Sequence, residues 1–342
     1  MRYIFEIPQS RAEKISSYIE QGRYESFQDF FEVAVENQLF IESRELGFEP
    51  EPQTEKTGSR ADSSAGKKTS TRSISEIQEL GNRWTATLKP VEPPDLENMW
   101  SKYLWGHYNR LLPAKVTLRV LANLLGEQEN LNLILLQERA SDAAVSVGTY
   151  LKALDKKAQR KRWEGLSIGF PNSVKDIAAI SRFKLQFVGY VTKQGVLHGM
   201  PVALRFMNII RNVNGKDSQV GITQTGIDFA KLTNPVLDLN QKERTLSNEE
   251  IAFYIKHVRN AQPYEMKAFE AVIEAIENGQ ITYDSLKNQV SLLEKRWSGT
   301  IVNTMCTGIL SRMRELGVIR MQREGLRSHY ELGPNIALVK ST

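Results

Sequence analysis

Four histidines, His107, His198, His257 and His329, stand far apart in the chain. No His-Glu-x-x-His pair and no phosphate-binding glycine loop accompanies them. The carboxylates Glu127, Glu129 and Asp142 are scattered over helical surfaces. The single cysteine, Cys306, falls on an apolar stripe, where it packs as a small hydrophobe. One cysteine builds neither an intrachain disulfide nor a cysteine-based zinc site, which fits a reducing compartment. No catalytic residue, metal or cofactor is expected. A nuclease assembled from distant acids is the enzymatic alternative, and no cluster of residues points to it. What the residue types do offer is hydrogen bonding and positive charge. Thr300, Asn303, Thr304, Thr307, Ser311 and Arg314 repeat at helical spacing opposite the apolar stripe Val302, Met305, Cys306, Ile309, Met313 and Leu316. Asparagine can pair bidentately with adenine, and threonine carries a hydroxyl and a methyl, so this set suits base edges in a major groove. Arg320, Arg323, Arg327 and His329 follow and suit phosphates or the minor groove.

A second basic set, Lys152, Lys156, Lys157, Arg160, Lys161 and Arg162, closes a helical stretch. It is read as a phosphate contact, since six cations exceed what complementing a helix macrodipole requires; the alternative is a solvated helix end. Arg211 and Lys216 flank a third candidate. Trp100, Tyr103, Leu104, Trp105 and Tyr108 could stack on single-stranded bases, but their helical spacing reads first as packing.

These residues are spread over 342 positions, enough for two or three domains. With 45 Lys and Arg against 40 Asp and Glu, the net charge of +5 permits a polyanionic partner without requiring one, so the distribution of charge matters more than its total. No run approaches the roughly 18 apolar residues of a membrane span, and the first eight residues do not read as a signal peptide. A cytoplasmic, nucleoid-associated protein without a membrane partner is expected. Residues 49–75 are poor in apolar side chains and are expected to be a disordered linker. A weaker joint lies near Asn234–Pro235, and Ser247 with Glu250 marks a new helix start. The expected domains are therefore 1–48, 76–240 and 241–342. No internal repeat is evident.

In the first of these, a strand over Arg2–Pro8 precedes helices over 10–21 and from Ser26, with Gly22 between them. In the second, helices are expected over Val116–Leu125, over Leu131–Arg139 and from a Ser141 cap through Leu154. A helix then starts at Pro201 and runs through Phe206 and Ile209, and a hairpin turns at Asn214–Gly215. In the third, Tyr264–Asn278, a Thr282-capped helix through Leu293 and Thr300–Leu316 are helical. Val318–Met321 and His329–Leu332 are strands.

The strand Tyr3-x-Phe5-x-Ile7-Pro8, the Gly22 turn and the Ser26-led helix resemble the ribbon-helix-helix family. That resemblance implies a homodimer formed through residues 2–46, whose paired strands enter a major groove. Arg2, Ile4 and Glu6 would then face outward, and Glu6 suits phosphates poorly, so a module that only dimerises stays open beside one that reads DNA. The Val220–Gly226 run leading to Phe229–Ala230 resembles the end of winged-helix regulators and implies a wing with Arg211 and Lys216 at its edge. The run Leu310-x-x-Met313-x-x-Leu316-Gly317-Val318-Ile319, the basic hairpin and Tyr330-x-Leu332 resemble the winged-helix superfamily over about 70 residues. The expected fold is mainly α with short β-hairpins: an N-terminal ribbon-helix-helix, a central winged-helix-like domain and a C-terminal winged helix. The expected function is sequence-specific binding of double-stranded DNA without catalysis, as a transcriptional regulator. The alternative is an architectural or assembly role in chromatin organisation, plasmid partition, replication initiation or a defence-system scaffold.

Overall fold

Asn132 and Thr282 are each the last residue of a short extended stretch and the cap of the helix that follows it. The Asn132 carboxamide oxygen accepts from the Ile134 amide, and the Thr282 hydroxyl accepts from that of Ser285. Around these two caps the chain builds two series of helices, each ending in a hairpin and a short helix. The computed structural model describes residues 88–95, 102–127, 131–192, 195–211, 218–324 and 327–340, with Gln9, Ala12, Glu13, Ile15 and Ser16. The expected ribbon-helix-helix module, its dimer contact over 2–46, the linker over 49–75, Trp100, the Asn214–Gly215 turn and Lys216 lie outside the described residues, as do the side chains of Arg162, Arg211 and Arg327. What is described is mainly helical, with antiparallel sheets of two or three strands.

The first series runs α1 (Leu112–Glu127), β1 (Leu131–Asn132) and α2 (Leu133–Lys157). A longer connection holds α3 (Ile177–Phe183), a π-helical turn over Lys184–Val188, and the ladder of β2 (Tyr190–Val191) with β3 (Leu197–His198). Then come α4 (Met200–Ala203), the hairpin of β4 (Met207–Arg211) and β5 (Gln219–Ile222), and α5 (Gln224–Lys231). β1 pairs with β5, the second hairpin strand, so the sheet order is β1-β5-β4.

After α6 (Asn248–Ala261) the second series runs α7 (Pro263–Glu277), the Ile281–Thr282 stretch, α8 (Tyr283–Ser291) and α9 (Gly299–Glu315). The hairpin of β6 (Ile319–Glu324) with β7 (Arg327–Leu332) follows, then α10 (Ile336–Lys340). The lone extended stretch again pairs with the second hairpin strand: Thr282 bridges His329, and the Tyr330 amide donates to the Ile281 carbonyl at 2.8 Å. The two series thus share this pairing of a lone extended stretch with the second hairpin strand, while α3, the π-helical turn and the β2–β3 ladder belong to the first alone.

Three local expectations are corrected. Ser141 caps nothing. It lies buried inside the 25-residue α2, and its hydroxyl bonds back to the Glu138 carbonyl, so two expected helices are one. The helix expected from Pro201 through Ile209 stops at Ala203, and Met207–Arg211 is a strand, because its amides pair with β5. The C-terminal hairpin is longer than expected, its ladder running from Ile319–Leu332 to Glu324–Arg327.

The two series share one apolar core, and polar groups lock the seam between them. Lys115 of α1 meets Glu250 of α6 at 2.8 Å, with neither side chain exposed. Glu250 also accepts from the Asn234 carboxamide and the Ser247 amide, closing the capping box expected there. Burial, against the pull of Glu250, brings the Lys115 pKa down to about 8. Arg119 grips Asp238 through two contacts of 2.6 Å. From the other side, Glu315 at the end of α9 accepts the Leu111 amide at 2.6 Å and the Leu112 amide at 3.4 Å. It thereby satisfies free donors at the start of α1 from some 200 residues away. Burial raises the Glu315 pKa, and Arg110 and these amides oppose the rise.

Candidate nucleic-acid interface

The face of α9 set opposite its buried stripe is only partly open. Val302, Met305, Cys306, Ile309, Met313 and Leu316 are all buried, as their spacing required. Asn303 and Thr307 are exposed, while Thr300, Thr304 and Ser311 are half-buried. The covering comes from the 102–110 segment, which crosses α9 so closely that glycine is needed on both sides. A Cβ on Gly308 would lie 2.2 Å from the Gly106 carbonyl oxygen, and one on Gly106 would lie 2.2 Å from that of Thr304. The fully buried Arg312 fastens the crossing. Its guanidinium pairs with Glu265 at 2.6 Å and donates to the Tyr108 carbonyl at 2.7 Å. Tyr103 stands edge-on to Tyr264 and Trp297. The aromatics over 103–108 therefore pack: Tyr103, Leu104 and Tyr108 are buried in the core.

Tyr283, the first residue of α8, was not singled out by pattern. It holds the open part of α9, its hydroxyl lying 2.7 Å from Asn303 Oδ1 and 3.0 Å from Thr307 Oγ1. Burial pushes its pKa up to about 12, so the phenol stays protonated at neutral pH. Burial likewise pushes the Cys306 thiol up to about 12, which leaves it inert as a nucleophile.

The second residue that pattern missed is Trp163, directly after the basic run. Lys161 Nζ lies 5.4 Å from its ring centroid, and the Arg323 guanidinium of β6 lies 4.9 Å from it. Its backbone carbonyl accepts from Arg314 at 2.6 Å. Three cations expected in separate places thus meet at one tryptophan, Lys161 and Arg323 on its indole, where cation–π attraction favours them, and Arg314 on its backbone carbonyl. An aromatic abutting a cation run was the available signal.

Not every expected contact is free. Arg314 is turned inward onto Trp163, and burial followed by repulsion from Arg110 lowers its pKa. Arg160 pairs with Asp155 and donates to the Lys242 carbonyl, so it braces the turn. Asp155 also accepts from the Leu166 and Ser167 amides and the Ser167 hydroxyl. Lys152, Lys156, Lys157, Lys161, Arg320 and Arg323 are exposed. His329 is half-buried, its backbone opposite Gln322. Arg211 and Arg327 are placed by backbone alone: Arg211 ends β4 opposite Gln219, and Arg327 opens β7 opposite Glu324.

Burial lowers the pKa of His107, His198 and His257. His257 is further held against the Leu204 carbonyl at 2.7 Å. Among the described residues no group of three or more His, Cys, Asp or Glu side chains is placed to hold a metal, and no helix is long and apolar enough to cross a membrane. Comparison with family models, curated proteins and solved structures returns no match for this chain.

Proposed function

We propose that this chain binds double-stranded DNA without catalysis and reads sequence through residues 263–332, used as a winged helix. In this reading α9 enters the major groove by its first half, the β6–β7 hairpin is the wing, and residues 112–231 form a second, winged-helix-like unit that supplies backbone contacts. The observation that carries the reading is the convergence on Trp163. It sets the segment just past α2 beside the wing and against Arg314 near the end of α9, which gathers Lys161 and Arg323 on one ring, where they could share a phosphate strand. The regular order of helices and hairpin and the exposed Asn303 and Thr307 support it further. Pairing of two chains through residues 2–46 belongs to the same proposal, as do a regulatory role and a nucleoid location.

The reading predicts binding that weakens steeply with salt. Replacing both Arg320 and Arg323 with Ala should lower the slope of log K against log salt by about 0.9 for each phosphate no longer neutralised. An unchanged slope and affinity would take the hairpin off the DNA.

One observation favours the architectural or replication-initiating alternative: the two units are clamped in a single chain by Glu315 of α9, which accepts from the Leu111 and Leu112 amides at the start of α1. A footprint separates the two readings. A short palindrome fits a dimeric regulator, and directly repeated sites fit an assembly protein.

A further inference from the structure

The Tyr283 hydroxyl has one proton, the Cys306 thiol beside it and three oxygens around it: Asn303 Oδ1 at 2.7 Å, Thr307 Oγ1 at 3.0 Å and the Asn303 backbone carbonyl at 3.3 Å. Asn303 Oδ1 is a carbonyl oxygen and only accepts. It is also the nearest, so it takes the phenolic proton. With that proton committed, the 3.0 Å contact is made by the Thr307 hydroxyl donating to Tyr283 Oη, which can also accept from the Cys306 thiol. The result is a directed chain, Thr307 to Tyr283 to Asn303. With Oδ1 drawn toward the phenol, the Asn303 amide is turned so that Nδ2 points away from Tyr283. With its proton committed inward, Thr307 keeps only acceptor lone pairs and a methyl for any outside partner. Asn303 and Thr307 are both exposed and lie one helical turn apart.

The geometry points to Tyr283 as a specificity-setting residue that locks α9 into offering a donor at Asn303 and an acceptor at Thr307 to the major-groove edges of neighbouring base pairs. The inference rests on the duplex-reading proposal above and names what that reader selects. Guanine, adenine and thymine all show an acceptor in the major groove, and cytosine shows only its amine. The base facing Asn303 should therefore be anything but cytosine. Adenine and cytosine show an exocyclic amine there, and guanine and thymine do not. The base facing Thr307 should be adenine or cytosine. Without the phenolic hydroxyl, the Asn303 amide and the Thr307 hydroxyl could each rotate and accept either pattern. Tyr283 is thus a positioning residue that acts through its two neighbours.

The test is selection of the full-length protein on a random duplex library, with wild type, Tyr283→Phe and Thr307→Val read in parallel for base frequencies, affinity for unselected duplex and melting temperature. Wild type should show two neighbouring positions with these exclusions, each discriminating by about tenfold or more. Tyr283→Phe should lower both to about threefold or less, with affinity for unselected duplex and melting temperature unchanged. Thr307→Val removes the acceptor offered outward and the donor to Tyr283 but leaves the phenol donating to Asn303, so it should relax the second position and leave the first intact; this variant carries the test if Tyr283→Phe does not fold. A Tyr283→Phe protein that keeps both wild-type preferences, or loses affinity equally for all sequences, overturns the inference and leaves the duplex reader standing. A wild-type selection with no base preference overturns the reader itself and this inference with it.

Discussion

The two halves of the molecule both end in a hairpin that takes a lone extended stretch on its second strand, and they differ in the helix before that hairpin. In the C-terminal series the helix before the hairpin is the 17-residue α9, with Asn303 and Thr307 facing out. In the central series the same place is held by the four-residue α4, and Met200, Pro201, Val202 and Ala203 are all buried. The carbonyl of Ala203 accepts from the Gln262 side chain and that of Leu204 meets His257, so the segment is bound to α6 and covered by it. The segment before the hairpin is therefore an open helical face in one series and a covered one in the other; in the proposed function the first reads and the second supports. The difference lies in whether the third helix is long enough to stand clear of its own core. In the proposed reading the central unit contributes instead through the basic end of α2 and the segment just past it, where Lys161 shares the Trp163 ring with Arg323 of β6.

The strongest way to break this division is at the clamp. Arg312→Ala would leave Glu265 buried without its cation and free several carbonyls of the 104–108 crossing. The expected loss is about 3–5 kcal/mol of stability, the usual consequence of breaking a buried ion pair by removing one partner. Denaturant unfolding measures it, and a loss near zero would mean that the crossing is held by packing alone.

A smaller effect is expected at Asp155, which holds the turn that delivers Lys161 and Trp163. Burial pushes its pKa up, but the Ser167 hydroxyl, the Leu166 and Ser167 amides and Arg160 outweigh that and hold it below the usual aspartate value. A carboxylate with a depressed folded pKa contributes stability that is fully present above its unfolded value, about 3.9, and is lost as pH falls through the folded one. Asp155→Asn should therefore lose stability at neutral pH and show a flatter acid limb than wild type. Parallel melting curves between about pH 2 and 6 check this. Identical acid limbs would mean that the Asp155 contacts do not favour its charged form.

The C-terminal series was the more legible in sequence because its helices are regular. The stripe from Val302 to Leu316 recurs at three- and four-residue steps, Ser247 caps as its spacing with Glu250 requires, and Thr282 caps as expected. The central series misled pattern reading at specific places. Ser141 has the side chain of a cap but sits mid-helix, where its hydroxyl bonds back to the preceding turn. Met207–Arg211 is apolar enough for either helix or strand, and only its partner β5 decides the matter. The site was half legible for a different reason. Helical periodicity shows which face of α9 avoids its own core, but not what arrives from elsewhere. Arg314 finds Trp163 across 151 residues, Gly308 meets Gly106, and Tyr283 reaches Asn303 from the preceding helix. Such pairings are set by tertiary structure, and no local pattern encodes them.

The division between reading and supporting is tested most directly by measuring, across a range of salt, the affinity of the full-length protein for its selected duplex and for a scrambled one. Two variants are compared: Asn303→Ala with Thr307→Ala, and Lys156→Ala with Lys157→Ala. The first should bring the selected duplex down to the scrambled level and leave the salt slope unchanged. The second should weaken both duplexes equally and lower the slope by about 0.9 for each phosphate left without its cation. If the first variant keeps its preference for the selected duplex, or the second abolishes that preference, then α9 is not the reader and the two halves do not divide the work in this way.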